Sequence, residues 1–353
     1  MGAHHILNMA RKFISAQGGE IAPLPLSEEE LNPEVQEDLT YRVLHPIEAN
    51  TSCYPVPYKF PDDSACSAFS FFEDGRQRTV LIGFVPSRIG QTDILIPVHF
   101  FCVASVILKR ENHELKVWDE PIVQQGIFVE KSLLPKQNIL EGFEEQGLNI
   151  VPIPAEGGDY YGLREKALQE AKKQRLAVED LLITKWRESL DAEKHFLVVD
   201  GTLMNFRNER NVERCVGVSK SFKSRYFDVS DHNRILRMKE FERSWAFCFH
   251  DLEDETDDPR MGGRNRVSWY LRLRSRPNTD PEFGLVRVEI SHHYTDQASR
   301  YANEISRSLL SERLPTSYPA PRWDKHLYPI RACENYLSSI MPSTVTIDAS
   351  MKG

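Results

Sequence analysis

Residues 196–203 read FLVVDGTL, and residues 69–78 read FSFFEDGRQR. Each is an apolar run that stops at Asp-Gly, one of the commonest turn signals, because glycine accepts positive φ and aspartate bonds its own backbone. Taken singly, each marks the end of a strand. Taken together they decide the fold. If the two strands lie side by side, Asp74 and Asp200 meet as the two halves of an acidic site.

The segments between and after them supply the context. From Ala68 a β-rich block begins: AFSFFED (68–74), RTVLIGFVP (78–86) and TDILIPVHFFCVASVILKR (92–110), whose β-branched and aromatic residues suit three strands. Shorter strands are expected in HELKVWDE and QGIFVEKSL. Residues 162–190, GLREKALQEAKKQRLAVEDLLITKWRESL, are rich in helix formers at helical spacing. HFLVVD (195–200) is then a strand covered on both faces, and RCVGVSKS is the next. VSWYLRLRS (267–275) and GLVRVEISHHY (284–294) alternate like a hairpin. Helices are expected at 295–310 and around ACENYLSSIM (332–341). Residues 1–66 read as irregular.

Three strands, a long helix, a fourth strand and a fifth form the order of an RNase H-like domain. There the first strand is central, the next two are its antiparallel neighbours, and the fourth returns beside the first. The expected class is α/β: an RNase H-like mixed central sheet flanked by helices. An N-terminal arm (1–67), a nuclease domain (68–340) and a C-terminal tail (341–353), with helical elaborations at the C-terminus, complete it.

Composition bounds the function. A hydrophobic content of 41% and a charged content of 27% are those of an ordinary globular protein. The N-terminus, MGAHHILNMARKF, lacks a long apolar stretch, and ILIPVHFFCVASVIL is short for a membrane span and carries Pro97 and His99. A cytoplasmic protein with no membrane association is expected. The six cysteines form no C-x-x-C pair, which argues against a zinc ribbon or a disulfide scaffold. The net charge of −8 is not that of a general nucleic-acid binder, but the charge is unevenly placed. Residues 207–225 and 260–276 are basic and flank the acidic run DLEDETDD (251–258). Lys223, Arg225, Arg264 and Arg266 are therefore candidate phosphate contacts in a basic channel. The alternative is a solvated surface of mixed sign.

Phosphodiester hydrolysis needs a water made nucleophilic and a leaving oxygen stabilised as its charge grows. Two hard divalent cations about 4 Å apart do both in an in-line displacement. Mn²⁺ and Mg²⁺ prefer oxygen ligands, so carboxylates converging from different elements are expected. Two strand-end aspartates and a glutamate of the long helix would supply them. No P-loop of the form GxxxxGK[ST] is present, so ATP-driven movement would come from a partner.

Over residues 68–335 the chain resembles the NurA nuclease family. The resemblance rests on FFEDGRQR, a helical Glu ahead of FLVVDGTL, then GVSKSFKSRY, the WYLRL…VRVEI hairpin and the Tyr-Pro…His pattern of YPAPRWDKH. It implies a homodimeric nuclease that degrades DNA with Mn²⁺ or Mg²⁺ beside a HerA-type hexameric ATPase, a DNA translocase. Carried over, Asp74, Asp200 and Glu179 would be catalytic metal ligands, with Glu165 and Glu170 as alternatives on the same helix. Tyr318 and His326 match the Tyr-Pro…His spacing, and His326 would coordinate a metal or relay a proton. Lys220 would contact a phosphate. Arg76 and Thr202 depart from the family pattern, where a small residue and a proline are usual. Glu289 reads as an ordinary strand residue. His292 and His293, as strand neighbours, would face opposite sides. A non-catalytic DNA-binding scaffold is the competing expectation, and an RNA-directed nuclease a weaker third.

Overall fold

The computed structural model describes residues 2–27, 43–49, 53–56, 67–89, 91–154, 159–203, 212–220, 227–250, 266–274, 279–315 and 323–352. The strands are β1 (Glu20–Ser27), β2 (Val43–Pro46), β3 (Tyr54–Pro55), β4 (Phe71–Ile89), β5 (Thr92–Glu111), β6 (Glu114–Val117) and β7 (Ile122–Val129). After them come β8 (Ile150–Pro152), β9 (Leu197–Asp200), β10 (Cys215–Ser219), β11 (Glu242–Arg243), β12 (Phe247–His250), β13 (Arg266–Arg272) and β14 (Leu285–Ser291). The helices are α1 (Ala3–Ala16), α2 (Leu140–Glu145), α3 (Tyr160–Arg187), α4 (Val229–Leu236), α5 (Ala298–Ser311), α6 (Tyr328–Ile340) and α7 (Thr344–Lys352).

The protein is α/β, with one large mixed sheet flanked by helices. Its main path runs β2-β12-β13-β14-β10-β9-β4-β5-β7-β8, and β1 and β6 add to β4 and β5. β4, β5 and β7 are successive antiparallel neighbours, whereas β9 is parallel to β4 and β10 parallel to β9. The four-residue β9 lies parallel beside β4, so the segments 195–200 and 68–74 are neighbours as expected.

The first Asp-Gly is not a turn. β4 runs unbroken from Phe71 to Ile89, so the two strands expected at 68–74 and 78–86 are one. Asp74 pairs with Val106 and Gly75 with Ser105 in a ladder that continues to the hairpin tip. A partner strand of matching length satisfies the backbone through Asp-Gly and overrides the local turn preference. The second Asp-Gly does end its strand, and Gly201 takes φ +112°.

α3 starts on Asp159, whose side chain accepts from the Gly162 amide at 2.6 Å. It buries Leu163, Ala167, Ala171, Val178, Leu182 and Trp186 and packs on β4 and β5. α6 also packs on β4 and β5. The expectation that residues 1–66 are irregular fails at residues 3–16, and again at strands β1, β2 and β3. Ile6, Ala10, Phe13 and Ile14 recur at helical spacing and are buried in the same core that takes Ile347 and Met351 of α7. Among the described residues no helix is long and apolar enough to cross a membrane. Five cysteines are free thiols, with Cys102, Cys215 and Cys333 buried. Cys66 lies outside the described residues.

Candidate metal centre

Asp74 and Asp200 meet because β4 and β9 are parallel neighbours. Glu73 pairs with Val199, so Asp74 and Asp200 occupy the next position on each strand. Just past Asp200, the Gly201 amide donates to the Val218 carbonyl at 2.9 Å, which ties the turn to β10.

Alternation along β4 sorts its side chains between two faces. Phe71, Glu73 and Gly75 face α3. Phe71 lies 5.7 Å from Trp186 between ring centroids, and a Cβ at Gly75 would fall on the Glu179 carboxylate. Asp74, Arg76 and Arg78 face the opposite way. Arg76 donates to the Ser338 hydroxyl of α6, and Arg78 to the Pro342 carbonyl at 2.6 Å. On that face Glu334 of α6 joins the aspartates, and ligand oxygens of Asp74, Asp200 and Glu334 all lie within 4.8 Å of one another.

Cations already touch this cluster. The Lys220 ammonium, at the end of β10, lies 2.9 Å from Asp200 Oδ1 and 3.7 Å from Glu334 Oε1. Lys325 donates to the Lys220 carbonyl at 3.2 Å. Arg331 pairs with the other Glu334 oxygen. His326 is buried, its Nδ1 is 3.6 Å from Glu334 Oε1, and that nitrogen has no hydrogen-bond partner. Burial, and then the Asp200 charge, push the Asp74 carboxyl well above the usual carboxylate range, with Lys220 opposing. Burial pulls the Lys220 ammonium down, but Asp200 and Glu334 more than offset it and hold it above its usual value. Burial and the nearby Lys220 charge lower His326, so its imidazole is neutral at neutral pH.

Glu179 is brought close, but across β4 from Asp74. It is buried, paired with Arg175 and pushed up to about 7, by burial first and by Asp200 among its neighbours. Glu73 shares that face. It accepts from the Ser105 hydroxyl at 2.7 Å, its other oxygen has no partner, and burial with the Glu179 charge raises it well above the usual range. The third carboxylate grouped with the aspartates is therefore Glu334. A signal for it exists in the sequence. Ile330, Cys333 and Leu337 form the apolar stripe of α6, and an acidic residue inside such a stripe calls for a partner.

The other candidates fall out differently. Glu165 accepts from Gln169 on the exposed face of α3, and Glu170 pairs with Lys173 at 3.3 Å. Arg266 is 0% exposed within β13, which corrects its expected role as a surface phosphate contact. Lys223, Arg225, Arg264 and Tyr318 lie outside the described residues. His292 and His293 are not on a strand: they open a 3₁₀ turn, His292–Gln297, with ring centroids 4.3 Å apart. Glu289 is 0% exposed and braces the loop after Asp200, accepting from the Thr202 hydroxyl and the Leu203 amide and pairing with Arg287.

Three carboxylates converging on one point form the oxygen-rich donor set that suits a hard divalent cation. Among the described residues this is the one such group. Compared with known proteins, the chain matches no protein-family model and no curated protein.

Proposed function

We propose that this chain is a metal-dependent deoxyribonuclease of RNase H-like fold, hydrolysing phosphodiester bonds at the Asp74–Asp200–Glu334 centre. The observation that carries the reading is the convergence of these three carboxylates from two parallel strands and a helix. The strand order β7-β5-β4-β9-β10, antiparallel on one side of β4 and parallel on the other, supports the fold. The motif order that resembles NurA nucleases supports DNA as substrate, a homodimer, and a HerA-type hexameric translocase as partner in end processing or antiphage defence.

Asp74, Asp200 and Glu334 would hold Mn²⁺ or Mg²⁺. When bound, the ion supplies a more acidic water and neutralises developing phosphate charge. The chain's own residues do the rest. Lys220 offers a compact positive charge for a phosphate oxygen, and neutral His326, with Nδ1 unpartnered, can accept a proton. Asp200 and Glu334 are part exposed, so solvent reaches the centre, whereas Asp74 is buried behind them.

A non-catalytic DNA-binding scaffold is the second reading. Lys220 favours it, because its ammonium already compensates Asp200 and Glu334 as a structural ion pair would. Labelled DNA and matched RNA incubated with Mn²⁺, Mg²⁺ or EDTA, with and without the translocase, separate the two. Metal-dependent DNA cleavage, lost in Asp74→Asn, Asp200→Asn and Glu334→Gln, is expected. No cleavage under any condition leaves the scaffold.

A further inference from the structure

We infer that the centre takes one divalent cation rather than two, and that the Lys220 ammonium is its second positive charge. The inference rests on the metal-centre reading and deepens it. Five carboxylates crowd the two sides of β4 here: Glu73 and Glu179 on one, Asp74 and Glu334 on the other, Asp200 at the end of β9. Three cations are built in among them, Arg175 on Glu179, Lys220 on Asp200 and Glu334, and Arg331 on Glu334. With all five ionised, the state a bound cation favours, two negative charges are left uncompensated, which one divalent ion neutralises.

The space argues the same way. A second ion sharing Asp200 would have to lie near the Lys220 ammonium, which is 2.9 Å from Asp200 Oδ1, and like charges so close in a partly buried site repel strongly. Lys220 is not a loose surface lysine. Its side chain is 10% exposed, and its carbonyl is held by Lys325. Buried His326 faces the same Glu334 oxygen with Nδ1 unpartnered, so the centre already presents a further neutral donor on that side. An ion that takes over Asp200 and Glu334 leaves the Lys220 ammonium next to it, free to meet a phosphate oxygen.

The test is the stoichiometry of Mn²⁺ on the full chain, by titration calorimetry and by metal analysis after desalting. Wild type is compared with Lys220→Met, and thermal unfolding confirms that both are folded. One equivalent per chain is expected for wild type. For Lys220→Met we expect binding at least about tenfold tighter, or a second equivalent, since a repelling charge is gone. Two equivalents in wild type, or unchanged binding in a folded Lys220→Met, overturn the inference while leaving metal-dependent cleavage intact. If Lys220→Met does not fold, the wild-type count decides alone. No Mn²⁺ binding by wild type overturns both this inference and the nuclease reading.

Discussion

Thr202 is held by Glu289. Its hydroxyl lies 2.8 and 3.0 Å from the two Glu289 carboxylate oxygens, and the next amide, Leu203 N, donates to the same carboxylate at 2.8 Å. β14 lies two strands from β9, so a distant strand fixes the loop that leaves Asp200. The Arg287 guanidinium, 2.6 Å from Glu289, compensates the buried charge.

Removing Glu289 strips this brace and leaves Arg287 without it. Glu289→Ala is expected to cost about 3–5 kcal/mol, the range for breaking one side of a buried ion pair. Thr202→Val removes only the hydroxyl and should cost about 1–3 kcal/mol. Urea unfolding of the two variants checks the ranking; equal losses would mean that the Glu289–Thr202 bond, not the charge pair, dominates.

Gly75 is a clearance glycine. Its φ is not positive, yet an added Cβ would fall on the Glu179 carboxylate and crowd Glu179 Cδ. Gly75→Ala is expected to destabilise by about 1–3 kcal/mol. Adding Glu179→Ala should recover part of that loss, and a double-mutant cycle by chemical denaturation measures the coupling.

Without metal, the raised carboxyls make the fold favour acid. Glu179 keeps its proton up to about pH 7 in the folded state but releases it near the ordinary glutamate value when unfolded. Through that window the folded state holds the extra proton, so stability falls as pH rises, by on the order of 3 kcal/mol for this group. Glu73 and Asp74 shift in the same direction. Melting curves in EDTA between pH 5 and pH 8 (roughly the window set by these shifts) should fall with pH, and Asp74→Asn and Glu179→Gln should flatten the fall. A flat wild-type profile would count against the buried charge cluster.

Glu48 and Arg243 behave oppositely. Arg243 is buried and donates to both Glu48 oxygens at 2.7 and 2.9 Å, to Asn303 at 2.8 Å, and the Ala246 amide reaches Glu48 at 2.6 Å. Burial pushes the Glu48 carboxyl up, but these bonds more than reverse it and hold it below its usual value. This contribution is therefore full above the ordinary glutamate value and lost as pH falls through the lowered one. Glu48→Gln should cost about 3–5 kcal/mol at neutral pH, with the difference from wild type shrinking in acid unfolding experiments.

Much of the architecture follows from local sequence. The apolar runs at 92–110, 195–200, 267–275 and 285–291 carry strands, and 162–190 carries a helix, because side-chain periodicity and propensity act within a few residues. The same local rules identified Asp200 as a strand-ending residue, confirmed by Gly201 at positive φ. They misjudged Asp74, whose Asp-Gly is a turn signal only where no partner strand pairs it; β5 does.

By itself, then, the sequence determined the main strands and the long helix after residue 68 and singled out the two aspartates that meet. Only the tertiary structure decided which acid joins them. The two faces of β4 alternate residue by residue, so Asp74 looks toward α6 while Glu73, Gly75 and Glu179 share the other side. Glu334 and Lys220, 134 and 20 positions beyond Asp200 in the chain, reach it through helix docking and sheet register. The α6 stripe flags Glu334 and the resemblance names Lys220, but their meeting with Asp200 depends on nothing within a turn or two of either residue, and that is why no local pattern pairs them.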